Sequence, residues 1–214
     1  MSHRICENIK QIEQEIGNVQ LVVVSKYRSL SELQEVYTCG HRAFGENRVQ
    51  ELVDKYEVLP KDIEWHVIGH LQSNKVKYIA PFVHLIHSVD SFKLLQAINK
   101  EALKNERTIP FLFQMHIAQE ESKFGLSAEE LDDILKSSEY LDMKNIECRG
   151  LMGMATFTEN EQQIRDEFSG LTTLFNIYKS EQNWNTLSMG MSGDYALAIQ
   201  CGSNMIRVGS KIFQ

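Results

Sequence analysis

The chain has 214 residues, of which 43% are hydrophobic and 24% are charged. This size and composition predict one domain, residues 1–214, with a well-filled core. The net charge is −7 and the basic residues are scattered, which argues against a nucleic-acid-binding protein. No apolar stretch approaches the roughly 20 residues that a membrane-spanning helix requires, so we expect no membrane partner.

Short apolar runs alternate with longer amphipathic segments along the chain. The runs predict eight strands: Leu21–Ser25, Ala43–Glu46, Trp65–Gly69, Leu85–Val89, Phe111–Ile117, Gly150–Met154, Thr186–Gly190 and Met205–Val208. An N-terminal helix precedes them, and seven more helices are predicted between them: Ser29–Tyr37, Arg48–Tyr56, Asn74–Ala80, Phe92–Asn105, Ala128–Ser138, Glu159–Tyr178 and Asp194–Gln200. Start signals precede two of the helices: Ser127 before Ala128-Glu129-Glu130, and Thr158 with Glu161 three residues later, a capping box.

Strict alternation of strands and helices predicts right-handed βαβ units and a parallel sheet. Eight such units in one domain favour a closed (β/α)₈ TIM barrel that is preceded by an extra helix. A doubly wound open sheet is the competing architecture. It is disfavoured because no G-x-G-x-x-G motif follows the first strand.

The four cysteines are far apart in the sequence and form no C-x-x-C pair: Cys6, Cys39, Cys148 and Cys201. The N-terminal segment is charged and helical in period, unlike a secretory signal peptide. We therefore expect reduced thiols in a cytoplasmic protein.

Lys26 lies at the carboxyl end of the first predicted strand, which is apolar on both faces. Burial at this position favours the uncharged amine, the form that makes a Schiff base with a carbonyl compound. The alternative is that the stem of the side chain packs on the sheet while its charged head reaches water.

Small-residue turns follow the last two strands, where a barrel commonly binds phosphate. One turn contains Ser192, and the other contains Gly209 and Ser210. Glycines allow backbone N–H groups to approach an anion, and serine hydroxyls add donors. Such turns are also ordinary loops, so neither is specific alone. In a closed barrel, however, a phosphate beside strand eight lies next to Lys26. A lysine and a phosphate site together indicate pyridoxal 5′-phosphate.

Six motifs extend this pattern over nearly the whole chain: VSKY at 24–27, FGENRVQE at 44–51, WHVIGHLQSNK at 65–75, EESKFG at 120–125, RGLMGM at 149–154 and LSMGMSGDYALAIQCGSNMIRVGSKIF at 187–213. In these motifs the chain resembles the YggS/PROSC family of pyridoxal-phosphate homeostasis proteins. The resemblance implies a barrel similar to the N-terminal domain of alanine racemase, with the cofactor held as an aldimine on Lys26. It also implies that Ser192, Gly209 and Ser210 hold the phosphate, and that Arg207 faces the pyridine nitrogen. The chain departs from the family pattern at His116, Gly193 and Asn204.

Arg207 lies on the same strand face as Gly209, because side chains alternate along a strand. Arginine only donates hydrogen bonds and stays protonated, so beside the ring nitrogen it leaves the pyridine unprotonated and a poor electron sink. An ion pair with an acidic residue at the rim is the alternative role for this side chain.

Other polar residues are weaker candidates. Asn47 and Glu46, at the end of the second strand, are expected to line the cofactor pocket. His66 and His70 have the i, i+4 spacing of a helix but lie on a predicted strand, so we expect no shared metal. The seven histidines show no ligand pattern, and no metal site is predicted.

The sequence therefore predicts a monomeric carrier that binds and buffers pyridoxal 5′-phosphate in vitamin B6 homeostasis, with no catalytic residue. Cofactor-free pyridoxal-phosphate enzymes are its expected recipients. An amino-acid racemase is the first alternative, but two-base racemisation needs a base on each cofactor face. In the racemase-like fold one of these bases comes from a second domain, which we do not expect here. The second alternative is a barrel that binds another phosphate ester non-covalently, with Lys26 as a charge partner only.

Overall fold

Eight parallel strands close into a barrel in the computed structural model, which describes residues 2–119 and 124–214. The strands are β1 (Gln20–Val24), β2 (Ala43–Glu46), β3 (Glu64–Val67), β4 (Leu85–Val89), β5 (Ile109–Gln114), β6 (Ile146–Met152), β7 (Thr186–Ser188) and β8 (Met205–Val208). Each strand pairs with the next in chain order, and β8 closes the barrel against β1, with Leu21 opposite Ile206. The predicted (β/α)₈ barrel with an extra N-terminal helix is confirmed.

Helices cover the outside of the barrel in the order that the sequence predicts. They are α1 (Ser2–Ile16), α2 (Leu30–Thr38), α3 (Val49–Val58), α4 (Val76–Ile79), α5 (Phe92–Lys104), α6 (Ala128–Lys136), α7 (Ser138–Leu141), α8 (Glu161–Tyr178) and α9 (Tyr195–Gln200), with a 3₁₀ turn at Ser73–Lys75. No helix in the described part of the chain combines the length and the apolarity needed to cross a bilayer.

Helix caps explain where some predicted boundaries were correct and others wrong. Ser127 and Glu130 form the capping box expected at the start of α6. The capping box expected from Thr158 is wrong, because the side chain of Asn160 caps α8 by accepting from Gln163 N, and Thr158 accepts from the backbone N of Asn160. The predicted helix Ala128–Ser138 is interrupted at Ser137, whose extended backbone ends α6 and whose hydroxyl caps α7.

Two strands also differ from the prediction at one end, and in each case the reason is local. β7 stops at Ser188, short of the predicted end at Gly190, whose φ of +98° lies in the left-handed region that favours glycine. β6 begins at Ile146, four residues earlier than predicted. It is half-exposed over its first residues, so the apolar run alone did not show this start.

The barrel separates two layers of different composition. Between strands and helices lies the main apolar core, whose fully buried aromatic residues include Phe44, Trp65, Phe111 and Phe168. Inside the barrel lies a smaller apolar layer: Val22, Ala43, Leu85, Leu112, Met152 and Met205. Buried polar residues from β3, β4, β7 and β8 fill the rest of the interior. This polar interior leads to the candidate site.

The cysteines differ from expectation. Cys6 of α1 and Cys39, which follows α2, form a disulfide with their Cα atoms 5.5 Å apart. The prediction that all thiols are reduced is therefore wrong, because helix packing brings together two residues that are separated by 33 positions. Cys148 and Cys201 are free thiols.

Candidate functional site

A cleft of about 570 Å³ opens at the carboxyl ends of the strands, the face on which TIM barrels carry their active sites. Its walls include six of the residues that the sequence singled out: Lys26, Asn47, Ser192, Arg207, Gly209 and Ser210. Apolar side chains, among them Ile68, Met154 and Phe124, supply much of the remaining wall. The structure thus brings the predicted residues from both ends of the sequence together in one cavity.

Lys26 lies in the turn that follows β1, two residues beyond the strand end, and its side chain is exposed. The burial that we expected for its amine is therefore wrong. The turn is fixed by Arg28 N, which donates to Ser25 O over 3.1 Å, and by Tyr27, which adopts a left-handed φ of +62°. A bulky residue in this region carries strain, so the surrounding contacts must hold the turn in place.

A buried ion pair supports this turn from behind. Lys55 Nζ lies 2.6 Å from Glu46 Oε1 and donates to Ser25 O over 2.9 Å, while Ser25 Oγ donates to the same carboxylate oxygen over 2.6 Å. Glu46 is fully buried and is not part of the cleft wall, which corrects the expectation that it lines the pocket. Burial raises the pKa of the Glu46 carboxyl, and the hydrogen bonds from Lys55 and Ser25 oppose that rise.

Sequence reasoning missed Lys55. On its helix it resembles any solvated lysine. Its signal was its spacing of nine residues after an acidic residue at a strand end. That pattern is too common to be specific.

The two small-residue turns are in direct contact. Gly209 N donates to Ser192 Oγ over 3.2 Å, so the loops after β7 and β8 form one continuous edge of the cleft. A Cβ atom at Gly209 would lie 3.1 Å from Val24 Cβ and 3.2 Å from Val24 O, closer than most side chains pack. Glycine at this position therefore allows the turn to lie against β1, beside Lys26. Ser210 is exposed at the rim.

Arg207 is buried at the floor of the cleft. Its Nη1 donates to Ser188 Oγ over 2.6 Å and its Nη2 donates to Gly153 O over 3.0 Å. Burial lowers the pKa of the guanidinium to about 10, against the opposing effect of Asp194, so Arg207 is still protonated at neutral pH.

Below Arg207, hydrogen bonds continue along the barrel axis and form what we call the polar column, Arg207–Ser188–His87–His66. His87 Nδ1 lies 3.1 Å from Ser188 Oγ, and His87 Nε2 lies 2.9 Å from His66 Nδ1. Burial lowers the pKa of His66 to about 3 and that of His87 well below its usual range, so both imidazoles are neutral near pH 7. No single-sequence signal pointed to the column, because its members lie on four different strands.

His66 and His70 lie in different parts of the barrel. His66 is in the polar column, whereas His70 is 42% exposed in the cleft mouth, where Nδ1 lies 3.0 Å from Asp90 Oδ2. The imidazole of His70 stacks on Phe124 with ring centroids 4.2 Å apart. Phe124 is held in turn by Gln114 Nε2, which donates to its carbonyl oxygen over 2.9 Å. Of the motif at 120–125, residues 120–123 lie outside the described residues.

The departures from the family pattern have simple structural settings. Asn204 joins β7 to β8, accepting from Leu187 N over 2.8 Å and donating to Asn185 O over 2.6 Å. Gly193 is exposed, and a Cβ there would meet nothing within 4 Å. His116 is exposed beyond β5.

Comparison with known proteins identifies relatives that match this chain over nearly its full length. The pattern of the family described as "Alanine racemase, N-terminal domain" matches residues 2–214. The chain is 37% identical to the pyridoxal phosphate homeostasis protein of Aquifex aeolicus, with 98% of this chain and 94% of that protein aligned. It is also 37% identical to the pyridoxal phosphate homeostasis protein of Schizosaccharomyces pombe, over 95% of this chain and 87% of the relative.

Solved structures show the same architecture. PipY of Synechococcus elongatus, in a structure with PLP bound, superposes with a TM-score of 0.89 at 31% identity, covering 98% of this chain and all of that one. Alanine racemase of Bartonella henselae superposes with a TM-score of 0.75 at 15% identity, and this chain matches 58% of its length. The second likeness concerns the fold alone.

Proposed function

This chain belongs to the family of pyridoxal phosphate homeostasis proteins, and from that premise we propose that it holds pyridoxal 5′-phosphate in the cleft through Lys26. The family resemblance that the sequence motifs indicated is confirmed. The chain acts in vitamin B6 homeostasis as a carrier and buffer of the cofactor. The observation that carries this proposal is the convergence of an amine, two hydroxyl-bearing turns and a buried guanidinium on one cavity.

The donor set of the cleft fits the functional groups of this cofactor. Ser192 and Ser210 supply hydroxyl donors for a phosphate, and Gly209, whose N–H donates to Ser192 Oγ over 3.2 Å, joins their two loops. Arg207 supplies N–H donors for an acceptor such as the pyridine nitrogen. Lys26 supplies the amine, and the bound cofactor supplies an aldehyde that reacts with amines.

The exposure of Lys26 suits a carrier. Water can reach this amine, so the amine binds an aldehyde reversibly. The cofactor can therefore be released as well as stored. The buried ion pair of Glu46 and Lys55 holds the Lys26 turn in position without burying the amine itself. Arg207 cannot give up its proton at neutral pH, so it orients the ring without helping proton transfer.

The proposal extends to partners and location. We propose that the recipients are cofactor-free pyridoxal-phosphate enzymes, and that this chain serves them as a monomer in the cytoplasm, a compartment that rarely keeps disulfides such as Cys6–Cys39 oxidised. When such a cofactor-free enzyme is added to the loaded protein, the enzyme should regain activity faster than it would from the free cofactor that the loaded protein releases on dilution. Size-exclusion chromatography with light scattering tests the monomer.

Borohydride reduction tests the covalent attachment. The loaded protein should gain the mass of a reduced pyridoxyl phosphate group, and peptide mapping should locate it on Lys26. The variant Lys26→Ala should gain no such mass, whereas Lys75→Ala, which removes an exposed lysine outside the cleft, should behave as wild type. Cofactor retained by wild type without any mass gain would instead indicate non-covalent binding of a phosphate ester.

A further inference from the structure

Three potential metal ligands meet inside the opposite mouth of the barrel, away from the cleft. Glu64 is the first residue of β3, His66 follows two residues later, and His84 directly precedes β4. One ligand atom from each of these side chains lies within 4.8 Å of the others. Because β3 and β4 are neighbouring parallel strands, the backbone itself brings the three side chains together.

His66 has one ring nitrogen without a partner. Its Nδ1 lies 2.9 Å from His87 Nε2, while its Nε2 is buried and makes no hydrogen bond within the described part of the chain. A buried polar atom without a partner is costly and uncommon in native proteins. The orphaned nitrogen is therefore available to a ligand.

We propose that Glu64, His66 and His84 form a binding site for a zinc-like divalent cation. Two imidazole nitrogens and one carboxylate are a donor set that zinc accepts, and three protein ligands leave a fourth position for water. Glu64 and His84 are half-buried, which gives an ion a path to the site from solvent. The other nitrogen of His66 contacts His87, so it has a hydrogen-bond partner at the position where metal-bound histidines usually have one.

The types of ligand decide which cations the site takes. Two of the three ligands are imidazole nitrogens, and magnesium and calcium prefer oxygen ligands. Zinc forms strong bonds to imidazole nitrogen, so it suits this donor set better.

A metal at this mouth would also set the direction of the polar column. If Nε2 of His66 binds the ion, its Nδ1 carries the proton and donates to His87 Nε2. His87 then carries its proton on Nδ1 and donates to Ser188 Oγ, which also accepts from Arg207. Occupancy of the site therefore fixes the tautomers below the cleft floor.

Equilibrium dialysis of the untagged, cofactor-free protein tests the proposal. After removal of metals with a chelator, wild type should bind one zinc ion per chain and no magnesium. The variants His84→Ala and Glu64→Gln, which alter half-buried positions, should bind zinc at least about tenfold more weakly. The variant His70→Ala, which removes a histidine from the cleft, should bind zinc as wild type does.

Cobalt supplies a second readout. Co²⁺ in the wild-type site should show the visible bands of a four-coordinate ion, and His84→Ala should lose them. Substoichiometric zinc binding by wild type, or equal zinc affinity in wild type and in both ligand variants, would overturn the proposal. Because no cofactor is present, neither result depends on the function of the cleft.

Discussion

The ammonium group of Lys55 lies 2.6 Å from the carboxylate of Glu46, and both side chains are buried behind the turn that carries Lys26. The ammonium also donates to Ser25 O, the carbonyl directly before Lys26. The position of the exposed amine thus depends on a buried ion pair that never reaches the cleft.

Replacing Lys55 by methionine should lower the free energy of unfolding by about 3–5 kcal/mol, because it leaves the Glu46 carboxylate buried without its partner. The free energy of unfolding should fall less in the double variant Glu46→Gln, Lys55→Met than in Lys55→Met alone. Urea denaturation measures both. Lys77→Met, at an exposed lysine of α4, is the control and should stay within about 0.5 kcal/mol of wild type. A Lys55→Met protein as stable as this control would show that the pair does not support the turn.

The double variant Ser192→Ala, Ser210→Ala should retain the cofactor less well. Each charge-assisted hydrogen bond to phosphate contributes ~1.5–3 kcal/mol, so affinity should fall at least about tenfold. The absorption spectrum of the fraction still bound should not change, because the attachment to Lys26 is intact. Dialysis of the loaded proteins measures retention, with Ser31→Ala on α2 as a control outside the cleft. Equal retention by all three proteins would place the phosphate elsewhere.

The loaded protein should exchange the α-proton of alanine very slowly. General acid–base assistance typically contributes ~10²–10⁴-fold, and the guanidinium of Arg207 offers none at neutral pH. Incubation of D- or L-alanine in deuterated water, followed by mass spectrometry, should show negligible deuteration relative to an alanine racemase. Rapid deuteration at catalytic protein concentration, lost in Lys26→Ala, would favour the racemase alternative.

Stability should fall as the pH drops below about 6.5, in part because of His41. Burial lowers the pKa of this imidazole, whose side chain is 10% exposed, although Glu13 of α1 at 3.6 Å opposes the shift. The unfolded chain therefore binds a proton at a higher pH than the folded chain does, and acid favours unfolding. Urea denaturation at several pH values should give a shallower dependence for His41→Gln than for wild type. A slope in His41→Gln equal to that of wild type would show that this histidine makes no such contribution.

Removing the disulfide should destabilise the oxidised protein. A cross-link over 33 positions restricts the unfolded chain, and its loss by Cys6→Ser should cost about 3–4 kcal/mol. With dithiothreitol present, wild type and Cys6→Ser should unfold at the same denaturant concentration. If they also coincide without the reductant, the bond does not form in solution.

The sequence was sufficient for most of the fold, because the relevant signals are local. The run at Leu21–Ser25 is apolar on both faces, as a strand between two covered layers must be, and the capping box at Ser127 marked a helix start correctly. The error at Thr158 arose because two polar residues two positions apart can both cap a helix. Asn160 caps the helix because it directly precedes Glu161, the first residue of α8.

The candidate site was partly predictable for a different reason. In a closed barrel, β8 returns to β1, so residues as distant as Lys26 and Gly209 could be placed together from topology. Lys55, the polar column and the disulfide were not predictable. Their partners lie on different elements. The rotation of these elements relative to one another depends on packing, and the spacing of residues in the chain does not show it.

The polar column also bears on how the stability of this chain varies with temperature. Unfolding exposes apolar surface, which raises the heat capacity, and polar surface, which lowers it. Exposure of residues such as His66, His87 and Arg207 therefore reduces the heat-capacity change of unfolding, to which the main apolar core around Trp65 and Phe168 contributes positively. The apolar core outside the barrel wall therefore mainly determines the curvature of the stability curve, and with it the tendency to unfold in the cold. Calorimetry of this protein would thus report chiefly on the helices and their contacts with the sheet.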